Sequence, residues 1–216
     1  MVRMESTNTQ TIVASITRAI VEQRLAPGSK LAEQKLADQY GVSRTLVRQA
    51  LFQLSQRHLV RMEPARGAFV AAPSVEEALE VFAVRRMLEA GIARELVRTA
   101  TPADLAALAQ QVQREQAVLQ QGETHARSVL HGDFHLCMAQ RLGNQFLVAL
   151  LSDLLARCTL VAVMARAKPQ AALSHEDHHT ILEALQARDE ALAVSRIEQH
   201  LQEVETALRL SFPPAA

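Results

Sequence analysis

Four histidines in the second half of the chain, His131, His135, His178 and His200, could hold a metal ion. Imidazole nitrogen suits zinc, nickel or another borderline divalent ion, and four such ligands fill a tetrahedral shell. His131 and His135 are four residues apart, so a helix projects both from one face. Leu130, Phe134, Met138 and Leu142 turn that face partly inward. His178 shares a face with Ile181, Leu182 and Leu185, and His200 lies with Ile197, Leu201, Val204 and Leu208. A turn near Arg188-Asp189 separates the last two histidines, ten residues after His178 and twelve before His200. At about 1.5 Å of rise per residue they come level on adjacent antiparallel helices. Asp133 falls on another side of the helix from His131. His175, Asp177 and His179 read as solvated or at best outer-shell, and His58 and His125 as surface.

Arg85 stands on the line Ala78, Val81, Leu88, Ile92, Leu96, an otherwise apolar face. A charge on a core stripe needs a partner. That partner is either a protein carboxylate in a buried salt bridge or an anionic effector held in the guanidinium fork beside the metal. Arg86, one step round the helix near Glu89, reads as solvated or paired within its own helix.

A second constellation lies near the N-terminus. In Val42–Leu51, Ser43 can cap a helix by accepting a backbone N–H, and Leu46, Val47, Ala50, Leu51 and Leu54 form its apolar stripe. Arg44, Thr45 and Arg48 fall off that stripe beside the helix N-terminus, where free N–H groups and partial positive charge suit phosphate. Arginines there can fork onto guanine edges.

The elements that would position these residues are readable in outline. Thr11–Leu25 is an amphipathic helix ended by Pro27-Gly28, and Leu31–Tyr40 a short helix closed by Gly41. With the helix after Ser43 this is helix-turn-helix spacing. Leu59–Glu63 and Gly67–Val70, around Pro64-Ala65-Arg66, read as a two-stranded wing with a basic tip at Arg66. Ala71-Ala72-Pro73 is the linker, dividing residues 1–72 from residues 73–216. Beyond it six helices are expected, forming an all-α antiparallel bundle. Ser74 with Glu77 opens the first, to Thr99. Thr101-Pro102 opens the second, to Gln121. Glu123–Leu142 and Asn144–Ala167 follow. The fifth ends near Ala187, and Asp189 caps the last, to Leu210. The fold class is mostly α, a winged helix-turn-helix plus this bundle.

Composition agrees with two units in 216 residues. Residues 1–72 hold ten Lys/Arg against five Asp/Glu, and residues 73–216 hold thirteen against eighteen, so a basic head is joined to an acidic body. No apolar run is read as long enough to span a bilayer, and no signal-peptide pattern opens the chain. Cys137 and Cys158 lack metal or disulfide-framework spacing and read as buried, reduced thiols of a cytoplasmic protein. With no Trp and one Tyr, base stacking on single strands is disfavoured.

Pro27-Gly28-x-x-Leu31, Leu36-Ala37, Gly41-Val42-Ser43-Arg44-Thr45, Val47-Arg48-x-Ala50-Leu51 and Arg66-Gly67-x-x-Val70 together resemble the winged helix of the GntR family. Leu46 stands where most relatives have proline, and Gln49 where most have glutamate. The resemblance implies DNA contacts at Gln34, Ser43, Arg44, Thr45, Arg48, Arg66 and Gly67. The helical body resembles the ligand-sensing FCD domain of the FadR branch. Many FCD domains bind a divalent metal through Asp-x-x-x-His, His-x-x-Ile and a histidine of the last helix. His135, His178 and His200 match three of those positions, and His131 replaces the usual aspartate. Either His131 is the fourth ligand or the site has three.

The resulting expectation is a bacterial one-component transcription regulator, not an enzyme. A homodimer would read a pseudo-palindromic operator in double-stranded DNA. A divalent ion, zinc first by donor type, and Arg85 would capture a small carboxylate effector. Repression relieved by effector is what the family most often suggests. Two alternatives stay open: a sensor in which the metal is itself the signal, and a metal-dependent enzyme. Against the latter, His131-Gly132-Asp133-Phe134-His135 lacks the glutamate of the His-Glu-x-x-His pattern.

Overall fold

The computed structural model describes residues 8–120, 134–164 and 171–211. Helix α1, Thr9–Val21, begins two residues before the expected Thr11 because Asn8 caps it, its Oδ1 accepting from Thr11 N at 2.9 Å. It ends well before Pro27. Glu22 is the C-cap, and Gln23 takes a left-handed φ of 55° that stops the helix. Strand β1 is Lys30–Leu31, and α2 is Glu33–Tyr40, closed by Gly41 at φ 64°. Helix α3, Arg44–Gln56, starts at the Ser43 cap, whose Oγ accepts from Leu46 N at 3.3 Å.

Strands β2, Val60–Glu63, and β3, Gly67–Val70, pair antiparallel, with Val60 opposite Val70 and Glu63 opposite Gly67. The expected two-stranded wing is a three-stranded sheet of order β1-β3-β2. Leu31, expected as the first residue of the second helix, instead joins Lys30 in a third strand against Ala68 and Phe69, and that helix begins at Glu33. Two residues are too few to display an alternating pattern. The turn into β3 uses positive φ at Ala65 (59°) and Gly67 (100°), and only Gly67 occupies that region without a Cβ penalty.

Among the described residues the body is built of helices. Helix α4, Val75–Thr99, starts with a reciprocal capping box. Ser74 N donates to Glu77 Oε2 at 2.7 Å, and Glu77 N to Ser74 Oγ at 3.2 Å. Its C-terminal carbonyls are met by another element. The Arg188 guanidinium donates to Leu96 O and Val97 O at 3.1 and 2.7 Å, and to Ala100 O. Then follow α5, Pro102–Gln120, α6 over residues 134–141, α7, Gln145–Met164, α8, Ala171–Gln186, and α9, Glu190–Ser211. Nine helices are present among the described residues. Helix α4 packs against α7 and α9, and α8 against α5 and α9.

Helix α7 departs from expectation. Its residues Gln145–Ala162 have a mean hydropathy of 1.6, long and apolar enough by composition to cross a membrane. Part of the reason is that α7 packs on two sides, although Phe146 and Leu150 remain exposed. Leu151 and Val161 join the core of the body, while Ala156 and Leu160 join the core of the winged helix beside Ile12, Ile16 and Leu51. A helix buried on two faces cannot show the narrow apolar stripe of a surface helix.

Candidate functional site

Phe134, Ile181, Leu182, Leu185, Ile197 and Leu201 are buried around three imidazoles and bring them together: His135 of α6, His178 of α8 and His200 of α9. Each offers one ring nitrogen, and these atoms lie within 4.8 Å of one another. Ring centroids are 5.0 Å apart for His135 and His178, 5.2 Å for His135 and His200, and 4.9 Å for His178 and His200. All three side chains are essentially buried. Phe134 stacks on His178 at 4.2 Å between centroids and limits its rotation.

Behind each imidazole stands a carboxylate. His135 Nδ1 is 2.5 Å from Glu89 Oε2, His178 Nδ1 2.7 Å from Glu115 Oε2, and His200 Nδ1 3.0 Å from Asp177 Oδ2. A carboxylate at Nδ1 fixes the proton there and directs the Nε2 lone pair to the other side, the arrangement that orients metal-binding histidines. The His135 and His200 Nε2 atoms then face each other at 3.3 Å. Two lone pairs at that distance repel unless a cation lies between them. Ligands of a tetrahedral zinc, with Zn–N bonds of about 2.0–2.1 Å, are spaced about 3.3–3.4 Å apart. The donor set therefore fits a divalent ion. His131, the fourth expected ligand, lies outside the described residues, as do Asp133 and His125. His179 is exposed, 3.6 Å from Glu183.

The charges behind His135 form a relay. Arg85 Nε donates to Glu89 Oε1 at 2.7 Å, and Arg85 Nη1 lies 3.5 Å from Cys158 Sγ. Arg85 and Glu89 are both buried. Burial works to raise the Glu89 carboxyl, but the charge of Arg85 and then His135 outweigh it and hold it near 2. Burial is the largest influence on His135 and exceeds the pull of Glu89, bringing its imidazole down to about 4. It is thus neutral at neutral pH, the state a metal ligand requires. Burial likewise pushes the Cys158 thiol up. Neither cysteine forms a disulfide, and both are half-buried rather than fully buried.

Of the two expected partners of Arg85, a protein carboxylate or an anionic effector, the carboxylate is present, as Glu89. Two of the three guanidinium nitrogens serve the protein, and Nη2 is a buried donor with no hydrogen-bond partner among the described residues. Arg86 also differs. It crosses to α9 and pairs with Glu205, because Glu89 turns inward to Arg85. Glu89 and Glu115, which hold the Nδ1 atoms of His135 and His178, do not stand out in the sequence as partners of those histidines. The available signal was a second polar residue four positions along each buried stripe, Arg85 to Glu89 and Gln111 to Glu115.

In the head, Arg44, Thr45 and Arg48 stand on the exposed side of α3 near its N-terminus. Arg48 donates to Glu33 through Nε and Nη2 at 2.8 and 2.7 Å, and Arg44 Nη2 is 3.4 Å from the same carboxylate. Arg66 at the wing tip pairs with Glu63 at 2.5 Å and lies over the Phe69 ring. Gln34 donates to Asp38 at 2.8 Å along α2, and Ser43 is the cap of α3.

Known proteins place this architecture. Residues 8–70 match the family of bacterial regulatory proteins called gntR, and residues 80–203 match the FCD domain. The chain is 27% identical over 202 residues to the HTH-type transcriptional repressor RspR of Escherichia coli K12, covering 93% of this chain and 88% of that protein. It is 30% identical over 200 residues to the Uxu operon regulator of Haemophilus influenzae, covering 84% and 74%. Its fold superposes on E. coli McbR/YncC with a TM-score of 0.86 at 23% identity, over 97% of this chain and 100% of that one. These relatives are regulators rather than enzymes. With both halves matched in order, the chain belongs to the gntR family of DNA-binding transcription regulators and carries an FCD domain as its effector-binding half.

Proposed function

We propose that the protein is a cytoplasmic, homodimeric repressor whose operator binding is set by a small carboxylate at a divalent-metal site. The observation that carries this reading is the convergence of His135, His178 and His200, each backed by its own carboxylate, with the relay from His135 leading to a buried arginine donor. Residues 1–72 are the DNA-binding head and residues 73–216 the sensing body. Gln34, Ser43, Arg44, Thr45, Arg48, Arg66 and Gly67 contact DNA in this reading, with the α3 arginines in the major groove and Arg66 at the wing. Zinc suits three or four imidazoles best. His131, outside the described residues, is the fourth ligand.

A bound divalent ion supplies a positive anchor for carboxylate oxygen. The chain's own residues exclude water, hold each imidazole in one tautomer, and offer Arg85 Nη2 as a second anchor. Arg85 touches α7, and α7 packs on the head, so an effector that moves Arg85 biases the position of α3. A tenfold shift in DNA occupancy requires about 1.4 kcal/mol of preference for one head arrangement. Calorimetric screening of mono-, di- and tricarboxylates against wild type, chelated protein and Arg85→Lys tests this. The active compound binds wild type and fails on the other two. Equal binding to all three refutes the site, and operator affinity that follows metal alone makes the ion itself the signal.

A further inference from the structure

Glu33 is the first residue of α2, yet it reaches both reading arginines of α3. Its side chain is 16% exposed, while those of Arg44 and Arg48 are 59% and 62% exposed. Glu63 stands in the same relation to the wing, pairing with Arg61 at 2.7 Å and with Arg66. An anion among groups that must meet phosphate opposes binding on charge alone. Its geometry points to a different role.

A guanidinium has two edges that offer paired donors, Nε with one Nη on the side and the two Nη groups at the end. Glu33 takes the side edge of Arg48, with Nε on Oε1 and Nη2 on Oε2. The end edge, Nη1 with the second hydrogen of Nη2, is not used by that bond. An end edge matches the O6 and N7 acceptors of guanine in the major groove. An unrestrained arginine carries about 2 kcal/mol of rotamer entropy, which ordering on a base would cost. The Glu33 pair restricts that freedom before DNA arrives.

We infer that Glu33 is a positioning residue for sequence reading: it grips Arg48 by the side edge so that the end edge is presented to a guanine. This rests on the reading of α3 as the recognition helix. The role separates from simple electrostatics because the two act in opposite directions. Removing the Glu33 charge makes the head more basic and on charge alone strengthens binding to every duplex. Losing the grip weakens binding only where Arg48 reads a base.

The test uses the full chain and two duplexes. One is enriched from a random pool by wild-type protein, and the other is a shuffled sequence of the same composition. Glu33→Gln lowers the ratio of affinities for enriched over shuffled duplex about fivefold or more, within the worth of one bidentate base contact, while shuffled affinity holds or rises. Glu33→Asp keeps the charge and the acidic helix start but is one methylene shorter. It lowers the ratio without raising shuffled affinity. Thermal unfolding of both variants identifies any loss of folded protein. Arg48→Ala is the control for the underlying reading. If Arg48→Ala lowers the ratio and both Glu33 variants leave it unchanged, the positioning role is overturned and the reading helix stands. If Arg48→Ala itself leaves the ratio unchanged, both fall.

Discussion

Arg157 of α7 donates from Nε and Nη2 to the backbone carbonyl of Arg57, at 3.2 and 3.1 Å. Arg57 is the C-cap of α3, so a cation of the body closes the end of that helix. Carbonyls there lack helical partners and carry partial negative charge, and a guanidinium satisfies both. Asp153, one turn earlier, holds the Arg57 side chain at 3.4 Å. On the opposite side of the same stretch of α7, Cys158 touches Arg85. One helix therefore bears on the head with one face and on the relay behind His135 with the other.

This contact gives the first expectation. Arg157→Ala removes charge-assisted bonds to the α3 terminus and costs about 1.5–3 kcal/mol of stability. It also reduces the influence of metal on operator affinity. Thermal unfolding and DNA titration with and without chelator measure the two effects. Unaltered metal dependence would exclude α7 as the connection.

Metal content supplies the second. Untreated protein carries roughly one divalent ion per chain, and chelation lowers its unfolding temperature. His178→Ala and His200→Ala each reduce occupancy. Glu115→Gln leaves all ligands in place but weakens the ion about 10–100-fold by loosening His178. Elemental analysis and competition with a chromophoric chelator report both, and full occupancy in the His178/His200 double variant would remove the site.

DNA binding provides the third. Arg44→Ala and Arg48→Ala each cost about 1–3 kcal/mol on the preferred duplex if each reads a base. Affinity falls steeply with salt as phosphate contacts release counterions. Gel shifts in which neither variant weakens binding would relocate the reader away from α3.

Assembly is the fourth. Two heads are needed for two half-sites, so sedimentation should find a dimer at micromolar concentration. A monomer both free and on DNA would contradict the two-headed operator.

Acid behaviour of the metal-free protein is the fifth. Unfolded His135 takes up a proton near 6.5, whereas the folded residue resists until about 4. The unfolded state therefore binds more protons across that window, and stability falls as pH drops through it. Glu89, held near 2 against an ordinary 4.5, extends the loss to lower pH. Urea unfolding from pH 7 to 4 measures the slope, and His135→Gln flattens its upper part. An unchanged slope in that variant would mean that His135 is not buried neutral.

Much of this protein is written in local patterns. The Ser43 cap, Gly41 at the end of α2 and the apolar stripe of α3 define the helix-turn-helix because each acts within a few residues. Counting rise from the Arg188 turn brings His178 level with His200, because two helices joined by a short turn have little freedom in register. Tertiary structure decided what depends on distant segments meeting. Glu115 reaches His178 across 63 positions, and Arg157 reaches Arg57 across 100. Burial of Glu89 turned Arg85 to its own helix and left Arg86 to find Glu205. Strand β1 exists because β3 offers it an edge, and α7 is apolar on two sides because two cores close on it. Such choices are set by desolvation and by which partner lies within reach, quantities that no window of sequence contains.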